Sequence, residues 1–212
     1  GRWNFMAFTY MKSPGLDLND VGYLQRADEI ISGLWSAYRF DKPFSIFRQI
    51  RPNTNFWTGW DFGGARLSSG GNLSLYVQFK NLWWTNFGVN YEGRSLSNNL
   101  LRGGPAMLCP SSLNGWFNLG TNRSRKVSLS LYANASRGAE NVSERYSAGI
   151  DLTVKPGQSF TASIEPSWSI NRNELQYVTC AGDNKRYILS RIDQQIVSMS
   201  VRLNYNITPD LT

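Results

Sequence analysis

From Val127 to Ile170 the chain alternates apolar and small polar residues. Val127, Leu129, Leu131, Ala133 and Ala135 hold one parity, and Ser128, Ser130, Tyr132, Asn134 and Ser136 hold the other. Ala148, Ile150, Leu152 and Val154 then alternate with Ser147, Gly149, Asp151 and Thr153, up to a Lys155-Pro156-Gly157 turn. Beyond it Phe160, Ala162, Ile164, Pro166, Trp168 and Ile170 alternate with Thr161, Ser163, Glu165, Ser167 and Ser169. Successive strand residues point to opposite faces, so this period of two predicts three consecutive strands with one apolar and one small-polar face each.

The same reading extends along the chain. Residues 2–12 carry apolar side chains on both parities, and 29–40 form a second strand. A long strand over 44–62 contains Arg48, Arg51 and Pro52; an interior proline removes a ladder hydrogen bond, so a bulge is expected there. The two arginines have opposite parity, which requires either a register shift or a snorkelling side chain. Further strands are predicted over 73–80, 83–91, 112–120, 187–192 and 197–205, about eleven in all. Leu18, Val21 and Leu24 suggest a short helical turn after Asp17, within a connection whose carboxylates, including Asp28 and Glu29, read as solvated and partly paired with Arg26.

Connections near 41–43, 80–81, 122–125, 155–157 and 192–194 are short, and those near 13–28, 63–71, 93–111, 137–144 and 171–185 are longer. They alternate, as do the short turns and long loops of outer-membrane barrels. Aromatic residues gather near both ends: Phe40, Phe44, Phe79 and Trp83 by the short turns, Tyr91, Tyr146 and Trp168 by the long loops. This is the arrangement of two interfacial girdles.

Alternation alone also fits a soluble sandwich, so composition decides between solvents. Charged residues are 17% and aromatic residues 14% of the 212-residue chain. Soluble domains carry about 25% charge. The polar parity holds Ser, Thr, Asn and Gly, with few of the lysines and glutamates that guard soluble sheet edges. These features favour an all-β, transmembrane, antiparallel up-and-down outer-membrane β-barrel over residues 1–212. An odd number of strands cannot close such a barrel, so a portion of a larger one is expected, completed by strands of the same protein or a partner chain.

The chain contains no histidine, which removes Ser-His and Cys-His nucleophiles and His-ligated metals from consideration. No catalytic residue, cofactor or metal site is expected, and an enzyme is the weakest reading. The net charge of +7 is spread along the sequence with no basic run, so nucleic acid is not an expected partner. Cys109 and Cys180 fall in predicted loops, where an oxidising compartment permits a disulfide.

Arg102-Gly103-Gly104-Pro105 is the most distinctive loop: two glycines permit a left-handed turn that leaves Arg102 free to meet an acid. It reads either as a ligand clamp or as a loop folded into the lumen with Arg102 bonded to carbonyls or carboxylates. Asp151, Glu165 and Arg202 share the polar parity and suggest a lumen ion-pair network. Trp57, Trp60 and Trp116 suit either interface anchoring or stacking on sugar rings.

Three motifs carry a resemblance. They are Gly15-Leu16-Asp17-Leu18-Asn19-Asp20-Val21-Gly22-Tyr23-Leu24-Gln25-Arg26-Ala27-Asp28, Leu101-Arg102-Gly103-Gly104-Pro105, and Arg202-Leu203-Asn204-Tyr205-Asn206-Ile207-Thr208-Pro209-Asp210-Leu211, with Val77-Gln78-Phe79-Lys80-Asn81-Leu82-Trp83 between them. The chain resembles a family of large Gram-negative envelope proteins that join an N-terminal domain like a family 9 carbohydrate-binding module to a C-terminal outer-membrane β-barrel. The resemblance implies an internal piece of that barrel, a membrane anchor with lipid and lipopolysaccharide around it and a glycan as possible ligand of the larger protein. A solute channel is the alternative. The family has no established activity, so no residue role is carried over.

Overall fold

The computed structural model describes residues 2–17, 26–157, 159–182 and 186–206. It is all-β. One ten-stranded antiparallel sheet contains β1 (Trp3–Lys12), β2 (Glu29–Tyr38), β3 (Phe47–Trp60), β4 (Arg66–Phe79), β5 (Trp84–Glu92), β8 (Ser112–Gly120), β9 (Val127–Gly138), β10 (Ser143–Val154), β11 (Phe160–Ala181) and β12 (Arg186–Tyr205). Between β5 and β8 a separate two-stranded sheet joins β6 (Ser95–Ser97) to β7 (Met107–Cys109). Each strand of the large sheet pairs with its neighbours in the chain, β5 meeting β8 across the small hairpin. The outer edges of β1 and β12 do not meet, so the sheet is open.

The alternating segments form the strands expected of them, with three corrections. The large sheet has ten strands rather than eleven, because 187–192 and 197–205 are one continuous strand. The reversal expected near 192–194 is absent, and most of 171–185 is strand: β11 runs 22 residues and β12 runs 20, paired out to Ala181↔Arg186. Polar residues on both parities of Asp193-Gln194-Gln195 mimic a turn, although the hydrogen-bonded ladder passes through them. Finally, the bulge of β3 lies at Arg48 and not at Pro52, since the register slips between Phe47↔Phe79 and Gln49↔Gln78. Pro52 sits instead where the β2–β3 ladder lapses between Ala37↔Asn53 and the isolated bridge Phe40↔Ile50. The helical turn expected at Leu18, Val21 and Leu24 falls outside the described residues, as does the Thr208–Leu211 end of the third motif.

Burial across the sheet is inverted. Along β5 the apolar Phe87, Val89 and Tyr91 are exposed, while Trp84, Asn86, Asn90 and Glu92 on the other face are half-buried. On β11 Ile164 and Trp168 are exposed and Ser163, Glu165, Ser167 and Ser169 are half-buried. Directly opposite residues share a face, so the register joins the exposed residues into one apolar surface: Leu73↔Val89, Phe87↔Phe117 and Ile164↔Val201 are cross-strand pairs on it. The sheet therefore curls around its polar side. Its accessible surface is 14236 Å², against roughly 10,000 Å² for a compact monomer of this mass. Among the described residues only Ala37, Leu67, Val77 and Leu101 are buried apolar side chains.

With so little side-chain core, backbone contact is where substitution bites. A Cβ on Gly88 would meet the Trp116 ring and lie 2.6 Å from the Leu73 carbonyl oxygen, whereas on Gly115 it meets only the Gly88 oxygen at 3.7 Å. Gly88→Ala is expected to destabilise the full-length protein by about 1–3 kcal/mol and Gly115→Ala to leave it unchanged, read from urea unfolding. Equal midpoints for the two variants would contradict this packing.

Candidate functional site

The polar face is built from a repeated cross-strand unit. An aromatic ring on one strand covers a glycine directly opposite on the next: Phe8 over Gly33, Trp57 over Gly70, Trp116 over Gly88, Trp84 over Gly120 and Tyr132 over Gly149. Each pair lets a large ring lie along the sheet without crowding a neighbour, the device by which curved sheets tolerate aromatic residues inside. Hydrogen bonds fix the rings. The Trp116 indole N–H donates to Asn86 Oδ1 at 2.9 Å, and that of Trp57 donates to Glu92 Oε2 at 3.3 Å. Between the rings run amides: Asn55 Nδ2 donates to Asn72 Oδ1 at 2.8 Å, and Asn72 is opposite Asn90, itself opposite Asn114. The result is a flat aromatic and amide wall suited to contact with polar ligands or water. Among the described residues no group of three or more His, Cys, Asp or Glu converges on one point.

The expected site residues separate into two places. Glu165 and Arg202 do come together, weakly, at 3.9 Å, and Asp151 lines the same cavity of about 360 Å³ as Glu165 while accepting a 3.0 Å hydrogen bond from Thr153. The larger ion-pair network is elsewhere, on the upper half of the β11–β12 hairpin, where Arg172 reaches Glu144 and Asp193, and Arg191 reaches Glu174 and Asp193. The Arg102-Gly103-Gly104 turn is also there. Arg102 and Gly103 have positive φ, 48° and 96°. Arg102 meets no acid among the described residues: its guanidinium lies 5.6 Å from the centre of the Tyr177 ring, and Gly104 passes beneath the Tyr187 ring. The turn is thus a clasp onto the tall hairpin. Contact with Tyr177 is not legible because 171–185 reads as loop, and Tyr187 begins a predicted strand that no local pattern connects to Gly104.

Two other expectations change. Of the three tryptophans, only Trp60 belongs to the apolar face, since Trp57 and Trp116 pair with glycines on the polar one. Glu29 is buried and held by Lys12 at 2.6 Å rather than by Arg26, which donates to Asn99.

The structure also gathers cations that are dispersed in sequence. The connections at the short-turn end hold Arg39, Lys42, Lys80, Arg123, Arg125, Lys126 and Lys155, with Asp41 the sole described acid among them. Arg48 and Arg51 lie next to this end on β3. The bulge at Arg48 turns it to the polar side, where it lines a cavity of about 500 Å³ with Tyr76, Gln78, Trp84 and Arg123. Arg39, Gln49 and Arg51 line an adjoining cavity of about 540 Å³, with Tyr76 common to both. The reading of basic residues as scattered is therefore corrected: strands of alternating direction bring distant short turns to one end. The recurrence of Lys or Arg in successive short turns is the signal that pointed to it.

Cys109 and Cys180 are both free thiols. Cys109 is half-buried in β7, and burial pushes its thiol up from the usual range, partly opposed by the Arg26 charge. Cys180 is exposed near the tip of the β11–β12 hairpin.

A family model, the domain of unknown function DUF5916, matches residues 1–212, and the chain belongs to that family. No curated protein and no solved structure matches it.

The two thiols test the loop-end geometry. At neutral pH maleimide is expected to label Cys180 roughly ten-fold faster than Cys109, whose raised pKa leaves less thiolate, and the Cys109 rate should climb further into the alkaline range. Equal rates at neutral pH would contradict the placement of Cys109.

Proposed function

We propose that the chain forms wall strands of an outer-membrane β-barrel that anchors a larger envelope protein, one whose other domains engage glycans. The observation that carries this reading is the inverted burial: a continuous apolar face is exposed while the polar face is enclosed by curvature. In water such a surface is an aggregation liability; in hydrocarbon it is the stable outer face of a barrel. Aromatic contacts at the short-turn end fit a headgroup belt, where Trp3, Tyr38 and Phe40 pack in series and Phe47 touches Phe44 and Phe79. In the large sheet the strands from β1 to β10 are 9 to 14 residues long, and their apolar stretch suits a tilted span. The upper parts of β11 and β12, with their ion pairs, would stand clear of lipid on the long-loop side.

An unpaired strand edge in hydrocarbon costs several kcal/mol per backbone group, so the reading requires cover for the edges of β1 and β12. Further strands of the same protein or a partner chain would supply it, with lipid and lipopolysaccharide around the outside. The resemblance to envelope proteins that carry a module like family 9 carbohydrate-binding domains supports the glycan-linked, Gram-negative setting.

A second reading, a solute channel, draws on the unfilled polar face, whose cavities of about 500 and 360 Å³ are lined by Asn, Gln, Ser and Arg. Single-channel conductance of the full-length protein separates the two readings: a silent barrel is expected for the anchor, and stepwise ion current would favour the channel.

The anchor reading is tested by substitution on the two faces of β4. Leu73 is 61% exposed, so in water Leu73→Arg would be nearly neutral. In lipid it is expected to cost about 2–4 kcal/mol and to reduce assembled protein in outer-membrane fractions, while Ser74→Arg on the polar face assembles normally. Normal assembly of both variants, or full-length protein recovered without detergent, would sink the proposal.

A further inference from the structure

We infer that the short-turn end of the polar face is a binding site for a small soluble dianion or polyanion, carrying phosphate or carboxylate groups. Four guanidinium groups converge there: Arg48 and Arg123 on one cavity, Arg39 and Arg51 on the next, joined by Tyr76. Asp41 lies 3.7 Å from Arg39 Nε and accepts a hydrogen bond from Gln49, and Asp151 and Glu165 line a further cavity with Arg123. With Lys42, Lys80, Arg125, Lys126 and Lys155 in the adjoining turns, the cations at this end outnumber these three carboxylates and leave the mouth positive.

The arginines are also poorly satisfied by the protein. The side chains of Arg48 and Arg51 make no hydrogen bond or ion pair with any described residue. Arg39 Nε is buried without a hydrogen-bond partner, a condition that a ligand oxygen would relieve. Arg123 is held in place by its position 5.4 Å from the centre of the Trp84 ring, which leaves its N–H edge available. Elsewhere on this face Lys12 is paired with Glu29 and Arg202 with Glu165. The excess belongs to this end.

Guanidinium groups bind planar or tetrahedral anions through paired N–H donors, and rings of arginine select anions in pores. Two adjoining cavities, each with two arginines, favour a ligand with two anionic groups over a single small ion. The side chains face the polar side of the sheet, away from the apolar surface, which favours a solute over a lipid headgroup of the same phosphate chemistry. The proposal rests on the wall reading, because only in a wall is this end of the sheet a mouth.

The test uses the full-length protein extracted in detergent, with inorganic pyrophosphate as the soluble probe and phosphatidylglycerol nanodiscs as the lipid arm. Saturable pyrophosphate binding at low salt is expected by calorimetry. It should weaken at least about ten-fold in Arg48→Gln/Arg51→Gln, persist in part in Arg48→Lys/Arg51→Lys, and stay unchanged in Arg145→Gln, a cation at the long-loop end of the same face. Absence of pyrophosphate binding, equal weakening by Arg145→Gln, or binding to phosphatidylglycerol alone would each overturn the inference. Membrane fractionation of the same preparations keeps the two claims apart. Protein that resides in the outer membrane but ignores pyrophosphate sinks only the anion site, whereas soluble protein that binds it sinks only the barrel.

Discussion

The hydrogen-bonded ladder between ten strands does the work that side-chain packing does in most proteins of this size. Few apolar side chains are buried, and those that are do not form a contiguous core. Every internal strand has both its backbone edges paired, and the register is unbroken over most of the sheet. In the proposed wall, the free energy that a globular fold draws from excluding water would come from the medium against the apolar face. The same constraint explains why the sheet's two outer edges are its most demanding feature: a structure that depends on pairing has nothing else to offset an unpaired strand.

Curvature follows from how the polar face is furnished. Rings laid over glycines at Gly70, Gly88, Gly120 and Gly149 place bulk on the concave side at intervals across the sheet, while tying Trp57 and Trp116 to a carboxylate and an amide keeps those rings flat. The face is consequently smooth and polar in its middle, charged at its ends. Those ends differ. At the long-loop end Lys12 is paired with Glu29, and at the short-turn end the arginines outnumber the carboxylates near them. A polarity of this kind along one face gives a direction to anything that moves or binds along it.

Most of the architecture was legible in the residues because period two survives wherever the two faces meet different surroundings. β9, β10 and β5 are the clearest cases. Legibility failed where that difference disappears. In the β11–β12 hairpin the stretches 171–174 and 193–195 have polar residues on both faces, so they read as loop and turn although 187–192 reads as strand. A one-residue bulge at Arg48 leaves no compositional trace, yet it decides that Arg48 and Arg51 face the same side. The β6–β7 hairpin is too short for any periodicity to register. At the site level, the pairing of Glu165 with Arg202 followed from parity alone, but the stacking of Arg102 on Tyr177 and the arginine mouth depend on contacts between segments far apart in sequence.

The central claim is that one face of this sheet meets hydrocarbon and the other does not. Spin labels placed singly along β4 and β5 of the full-length protein in bilayers measure this directly, through collisions with dissolved oxygen and with a water-soluble nickel chelate. Labels at Leu73, Leu75, Phe87 and Val89 should favour oxygen, and those at Asn72, Ser74, Asn86 and Asn90 should not, giving an alternation with period two. Apolar-face positions open to the nickel chelate, or shielded from both reagents by a second protein layer, would contradict the account.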